Sequence, residues 1–115
     1  MNKLIIILIF IIPSISNAGS AWIKEAKVTQ TLIMDENYGD CMIHLDINIS
    51  EVGLDCPGKW VSLSCSGDFN TKATASRMYD LALMTGAMGK KVTLRVTDSK
   101  KHNGYCVANR LDVVF

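Results

Sequence analysis

Four cysteines, Cys41, Cys56, Cys65 and Cys106, constrain the fold of this chain more than any other feature of its sequence. Their spacings of 15, 9 and 41 residues contain no close pair of the C-x-x-C kind that zinc sites use. An even set of cysteines in a short exported chain is typical of structural disulfides, whereas a catalytic thiol would leave an odd cysteine. We therefore predict two disulfides, for which four cysteines allow three pairings.

The first 18 residues have the three parts of a secretory signal peptide. Lys3 gives a charged start, residues 4–12 are an unbroken apolar run, and Ser16-Asn17-Ala18 provides small residues for cleavage after Ala18. The apolar run is about half the ~20 residues that a membrane-spanning helix needs. We therefore expect a signal peptide at residues 1–18, a single domain at residues 19–115, no membrane span, and a secreted or periplasmic location.

The charges of the chain nearly cancel, with 12 lysines and arginines against 11 aspartates and glutamates. Proteins that bind nucleic acids or anionic membranes usually carry an excess of basic residues. We therefore expect no nucleic-acid partner.

The alternation of polar and apolar residues predicts five strands and one helix in the order β-β-β-α-β-β. The strands are expected at residues 22–34, 41–49, 59–66, 91–97 and 105–115. The helix is expected at residues 71–88, with Asn70 or Thr71 as its N-cap and Gly89 at its end. Residues 98–104, between the last two strands, are predicted as a polar turn.

This element order is that of the OB-fold, so we predict a mainly β, five-stranded, OB-like Greek-key barrel with one helix. If the second and third strands form a hairpin centred on Gly53, Cys41 lies opposite Cys65. The third and fifth strands of such a barrel run parallel, which brings Cys56 near Cys106. Of the three possible pairings we predict Cys41–Cys65 and Cys56–Cys106.

The sequence shows no constellation for catalysis. His44 and His102 are the only histidines, both lie among polar residues, and no G-x-S-x-G nucleophile motif is present. We therefore expect a protein that is not an enzyme and that holds no metal and no cofactor.

Four aromatic residues near strand faces and loops indicate a candidate sugar site: Trp22, Tyr38, Trp60 and Tyr105. Tyrosine and tryptophan with one wet edge can stack on a sugar ring while polar neighbours bond its hydroxyls. We take Trp60, Tyr105 and Asn103 as candidate glycan-binding residues, with Ser62 and Ser64 as further sources of hydrogen bonds. The alternative is that Trp22 and Trp60 simply close the ends of the barrel.

The end of the predicted helix, residues 83–88, is apolar nearly all round. A helix that lies on one small barrel should be polar on its outer face. We therefore take Leu83, Met84 and Met88 as a candidate oligomer interface. Burial beneath the loop after the first strand is the alternative.

Residues 71–112 resemble the helix and C-terminal hairpin of the enterotoxin B subunits, which are cell-binding subunits of the bacterial AB5 toxins. The resemblance rests on the helix, Gly89-Lys90-Lys91, a strand, and Cys106-Val107-Ala108-Asn109, which is similar to a Cys-Val-x-Asn of that family. The leader and the size of the remaining chain also match. The resemblance implies a ring of five subunits that binds host glycans and carries a separate catalytic chain.

Two departures limit what the resemblance implies. The enterotoxin family stacks galactose on a tryptophan two residues after that cysteine, and this chain has Ala108 there. The family's partner cysteine lies near the mature N-terminus, whereas no cysteine precedes Cys41 here. We therefore do not expect ganglioside binding in the enterotoxin manner. Subtilase-cytotoxin-like B subunits bind sialylated sugars through other positions.

The alternative function for this chain is that of a monomeric periplasmic or secreted protein that binds or inhibits another molecule.

Overall fold

The computed structural model describes residues 19–115, and the predicted signal peptide lies outside the described residues. The elements are β1, β2, a 3-10 turn, β3, α1, β4 and β5, at Ser20–Ile33, Cys41–Leu45, Ile49–Val52, Trp60–Ser62, Lys72–Met88, Lys91–His102 and Tyr105–Val113. The predicted order β-β-β-α-β-β is therefore confirmed.

The five strands close into a barrel in the order β1-β2-β3-β5-β4, with β4 bonded back to β1. β3 and β5 run parallel and meet at Ser62 and Val107, and the other four pairings are antiparallel. This is the topology of the OB-fold, as predicted. Each strand supplies at least one fully buried side chain to the interior, among them Ile23, Ile43, Val61, Leu94 and Ala108.

β1 pairs with β4 along its first half and with β2 along its second half, and a bulge interrupts each pairing. The register with β4 shifts between Ile23 and Ala26, and the register with β2 shifts between Val28 and Gln30. Glu25 lies in the first bulge with a φ of 57°. An extra residue in one strand increases the local twist, which lets a small sheet close on itself.

The helix α1 packs Ala75, Met78 and Ala82 against the barrel. The hydroxyl of Thr71 accepts the amide of Thr74, and Gly89 ends the helix in a left-handed conformation. The predicted helix and both of its end signals are therefore confirmed.

Two disulfides link the barrel, Cys41–Cys65 and Cys56–Cys106, each with 5.6 Å between its Cα atoms. These are the pairs that the barrel geometry predicts. The register of β2 and β3 places Ile43 opposite Val61, so the connection is centred on Val52, one residue from the predicted Gly53.

β2 and β3 are shorter than predicted. β2 ends at Leu45 because the chain turns at Asp46, whose carboxylate accepts the amide of Lys27 at 2.9 Å. β3 ends at Ser62 because Ser64 has a φ of 55°, which is incompatible with an extended strand.

The predicted polar turn at residues 98–104 is wrong. β4 continues to His102, and only Asn103 and Gly104 form the turn. Both have positive φ, 52° and 87°, as a type I′ hairpin turn requires. The polar residues that broke the predicted pattern form a bulge, because the register shifts between Thr97 and Lys101.

Candidate functional site

A groove of about 200 Å³ on the outside of the barrel is lined mainly by aromatic rings. We call it the aromatic groove, and its lining residues are Leu32, Tyr38, Met42, Trp60 and Tyr105. The rings of Tyr38 and Tyr105 meet edge to face, with 5.6 Å between their centroids. All three aromatic side chains are half-buried, so each combines apolar contact area with access to water.

Met42 forms the floor of this groove. The alternation of β2 predicts Met42 on the solvent face of the strand, yet it is only 2% exposed. The groove explains the difference, because rings from the first loop, from β3 and from β5 surround Met42 on the outer side of the barrel.

Trp60 is held in place from across the sheet. It lies opposite His44 in the pairing of β2 and β3, and the two rings meet edge to face at 4.9 Å. The Nδ1 atom of His44 is in turn hydrogen-bonded to the hydroxyl of Thr29 on β1. Three neighbouring strands therefore fix the orientation of the Trp60 ring.

A second cavity of about 240 Å³ adjoins the aromatic groove and shares Tyr38 with it. We call it the polar pocket, and its lining residues are Glu36, Asn37, Tyr38, Gly39, Asp40, Ser66, Asp68, His102 and Asn103. Three carboxylates and two amides therefore lie beside an aromatic surface. Among residues 19–115, no lysine or arginine lines either cavity.

Backbone strain concentrates around the polar pocket. Six residues other than glycine have positive φ within residues 19–115, and five of them line this pocket or lie directly beneath it: Glu36, Tyr38, Asp40, Ser64 and Asn103. Such conformations cost about 1–3 kcal/mol each and are found mainly at functional sites, where the surrounding structure holds them.

The loop that carries Tyr38 is held by its own hydrogen bonds. The carboxylate of Asp40 accepts the amide of Glu36 at 3.0 Å, and the amide of Asp40 donates to the carbonyl of Asn37 at 2.8 Å. The side chain of Asn37 accepts the amide of Tyr38 at 2.9 Å. The loop is therefore preformed, which lowers the entropy lost when a ligand binds.

Ser62 and Ser64 support the loop from below. The hydroxyl of Ser62 donates to the carbonyl of Tyr38 at 2.7 Å, and it accepts the amide of Ser64 at 3.1 Å. Both serines are fully buried. The expectation that they bond a sugar is therefore wrong, because their hydroxyls face the protein.

Ser64 also forms a hydroxyl–imidazole pair with His102, with 2.9 Å between Oγ and Nε2. No sequence motif marks this pair, because the two residues are 38 positions apart. The Ser64 hydroxyl also accepts the amide of Phe69 at 3.0 Å. Because Ser64 is fully buried, the pair ties the β4–β5 hairpin to the segment after β3 rather than presenting a nucleophile.

The structure brings the three candidate glycan residues to one surface. Trp60 and Tyr105 line the aromatic groove, and Asn103 lines the polar pocket next to it. Tyr38 joins the two cavities; the sequence marks it as one of the aromatics near strand faces and loops, but not as a candidate glycan-binding residue. Ala108 is fully buried, so the position that carries the sugar-stacking tryptophan in the enterotoxin family is part of the core here.

The candidate interface residues lie elsewhere, on the end of α1. Leu83, Met84 and Met88 are 43%, 40% and 55% exposed, so the loop after the first strand does not bury them. Leu83 shares a depression of about 420 Å³ with Ile33 of β1, which is 68% exposed. An apolar surface therefore extends from the helix to the end of β1.

Within residues 19–115, no helix is long and apolar enough to cross a bilayer. In the same part of the chain, no three metal-ligating side chains lie close enough to hold an ion. Comparison of the chain with protein-family models, with curated proteins and with solved structures gives no match in any of the three.

Proposed function

We propose that this chain is an exported, non-enzymatic, glycan-binding subunit of the kind found in AB5 toxins. The observation that carries the proposal is the aromatic groove beside the polar pocket. A sugar ring needs an aromatic surface for its apolar face and hydrogen-bonding groups for its hydroxyls. Trp60 and Tyr105 provide the first, and Asn103 and the carboxylates of the polar pocket provide the second.

The charge of the site favours an uncharged sugar. Glu36, Asp40 and Asp68 line the polar pocket without a lysine or arginine to offset them. A sialic acid carboxylate placed there would meet like charges, which destabilise binding. Neutral hexose units are therefore the ligands we propose, in contrast to the sialylated sugars of subtilase-cytotoxin-like subunits.

Self-association is the second part of the proposal. Leu83, Met84 and Met88 are exposed apolar residues at the end of α1, and Leu83 shares a depression with the exposed Ile33. Exposed apolar patches often mark contacts between subunits. A ring of copies that meet through this surface would present several aromatic grooves at once, and it would carry a separate catalytic chain. Multivalency then raises the avidity for a cell surface without any new contact to the sugar.

The two disulfides support export. Disulfides persist in oxidising compartments and are rare in the cytosol. Both pairs are formed in the described chain, which has no free cysteine. This agrees with the secreted or periplasmic location that the leader predicts.

A glycan screen with matched variants tests the site. We expect Trp60→Ala and Tyr105→Ala each to weaken binding of a neutral oligosaccharide about tenfold, because each removes a stacking surface. Phe115→Ala is the control, since Phe115 is 76% exposed and lines neither cavity. Binding should remain after this change.

Two results would overturn the assignment. Equal affinity of the wild type and of both groove variants would show that the sugar binds elsewhere. Preference for a sialylated oligosaccharide over its neutral counterpart would contradict the charge argument.

A further inference from the structure

The outer face of β1, β4 and β5 carries a row that the functional site does not use. Trp22 pairs with Arg95 on β4, and Arg95 pairs with Arg110 on β5, so the three residues are neighbours across the sheet. The guanidinium carbon of Arg95 lies 5.6 Å from the centre of the Trp22 ring, and that of Arg110 lies 5.0 Å from it. These are cation–π distances.

More cations lie along the same face. Lys24, Lys27 and Lys91 are exposed on β1 and β4, where they alternate with buried core residues. Lys27 and Lys91 are paired across the two strands. We call this surface the basic face, and its residues are Trp22, Lys24, Lys27, Lys91, Arg95 and Arg110.

The anionic groups near the basic face offset only part of its charge. Asp112 binds Arg110 through both oxygens, at 2.9 and 3.1 Å, and Glu25 is exposed in the β1 bulge. The carboxylate of Asp46 is hydrogen-bonded to the amide of Lys27. Arg95 forms no ion pair within residues 19–115. The near-zero net charge of the chain is therefore unevenly distributed, with carboxylates at the polar pocket and cations here.

We propose that the basic face is a second binding site, and that its ligand is a sulfated polysaccharide. Arginine binds sulfate-like oxyanions through two parallel hydrogen bonds, and Trp22 holds two guanidinium groups in a fixed position. Trp22 and Lys27 are five residues apart, or roughly 16 Å along an extended strand. That length fits several charged groups of a polymer rather than one small anion.

The details of this face favour a sulfated chain over other polyanions. Single-stranded nucleic acids stack their bases on open aromatic rings, whereas guanidinium groups flank the Trp22 ring here. Binding to an anionic bilayer usually includes insertion of apolar side chains. On the outer side of β4, the side chain between Lys91 and Arg95 is Thr93, which is too polar to insert.

Heparin is a suitable probe of this site, used with the protein in its disulfide-bonded form. We expect the wild type to bind heparin with an affinity that falls steeply as NaCl rises. Arg95→Gln with Arg110→Gln should weaken binding on the order of tenfold or more and lower the slope of log affinity against log salt by about 2. Both side chains are exposed, so the fold should persist.

Arg77→Gln with Lys100→Gln is the matched control, because it removes the same charge from exposed positions outside the basic face. This control should bind heparin as the wild type does. If both double variants lost heparin affinity equally, net charge alone would explain the binding, and the basic face would not be a site. Absence of heparin binding by the wild type, or tighter binding of a single-stranded oligonucleotide than of heparin, would overturn the ligand.

Discussion

Gly39 is the residue on which the geometry of the candidate site most depends. It is buried beneath the polar pocket with a φ of 74°, and a Cβ there would lie 2.5 Å from the Ser62 hydroxyl and 2.6 Å from His102. Both side chains belong to the hydrogen-bond network that supports Tyr38. The loop can therefore approach the barrel this closely only because residue 39 lacks a side chain.

Two alanine substitutions distinguish the cost of a clash at Gly39 from the cost of placing alanine at positive φ. Gly53 also has a positive φ, of 83°, but a Cβ there meets nothing within 4 Å. We expect Gly53→Ala to lower the free energy of unfolding by about 1 kcal/mol, and Gly39→Ala by about 2–4 kcal/mol because it adds a clash. Urea denaturation measures both. Equal losses would show that Gly39 is not closely packed.

Asp98 makes the stability of the barrel depend on pH. Its carboxylate accepts the amides of Asp55, at 3.0 Å, and of Gly19, at 2.6 Å. These bonds, together with the charge of Lys101, lower the pKa of Asp98. Cleavage after Ala18, which the sequence predicts, would replace the Gly19 amide by a charged amine at the same place.

A lowered pKa means that Asp98 stabilises the fold above the ordinary aspartate pKa of about 3.9, and that this contribution is lost as the pH falls through its own lower pKa. We expect Asp98→Asn to lower the free energy of unfolding by about 1 kcal/mol at pH 7. The difference from the wild type should shrink toward pH 2. Thermal unfolding between pH 7 and pH 2 measures it, and a constant difference would contradict this role.

The β4–β5 hairpin both closes the barrel and presents Asn103 to the polar pocket. Its type I′ turn needs positive φ at Asn103 and Gly104, and glycine adopts that conformation more readily than alanine. We expect Asn103→Gly to leave the melting temperature within a few degrees of the wild type while it weakens sugar binding. Asn103→Ala should weaken sugar binding and also lower the melting temperature, because alanine in this turn costs about 1 kcal/mol of stability. Unchanged sugar binding by Asn103→Gly would exclude the amide from the site.

The helix and the strand order could be predicted because each rests on local signals, and the disulfide pairs then followed from the barrel topology that this order indicates. Thr71 and Gly89 mark the ends of α1, and alternation marks the core faces of the strands. Asn103-Gly104 was also a readable turn signal, but the polar bulge before it concealed the length of β4. The boundaries of the elements were less predictable than their order.

The candidate site was predictable only in part. Trp60 and Tyr105 could be chosen by residue type, but their meeting at one groove depends on the pairing of distant strands. Residues 35–40, which carry Tyr38, are typical of a turn, but the conformation of this loop could not be predicted, because glutamate and tyrosine rarely adopt positive φ. Long-range hydrogen bonds from Ser62 and from the hairpin select that conformation.

The barrel as a whole presents three surfaces of different chemistry: the aromatic groove with its polar pocket, the basic face, and the apolar end of α1. The basic face shares no residue with the other two surfaces, whereas Asp40 lines both the polar pocket and the depression that joins Leu83 to Ile33. The net charge of +1 for the full chain hides this division, because it adds the carboxylates of one surface to the cations of another. The net charge alone therefore describes none of the three surfaces.

Native mass spectrometry of the disulfide-bonded protein, with and without a neutral oligosaccharide, tests ring formation and sugar binding together. One spectrum reports both the number of subunits and the mass of bound ligand. We expect a complex of five subunits that gains up to one sugar per subunit. Leu83→Lys should dissociate that complex and leave sugar binding by each subunit intact. A monomer at micromolar concentration that gains no sugar mass would contradict the proposal of a glycan-binding, ring-forming subunit.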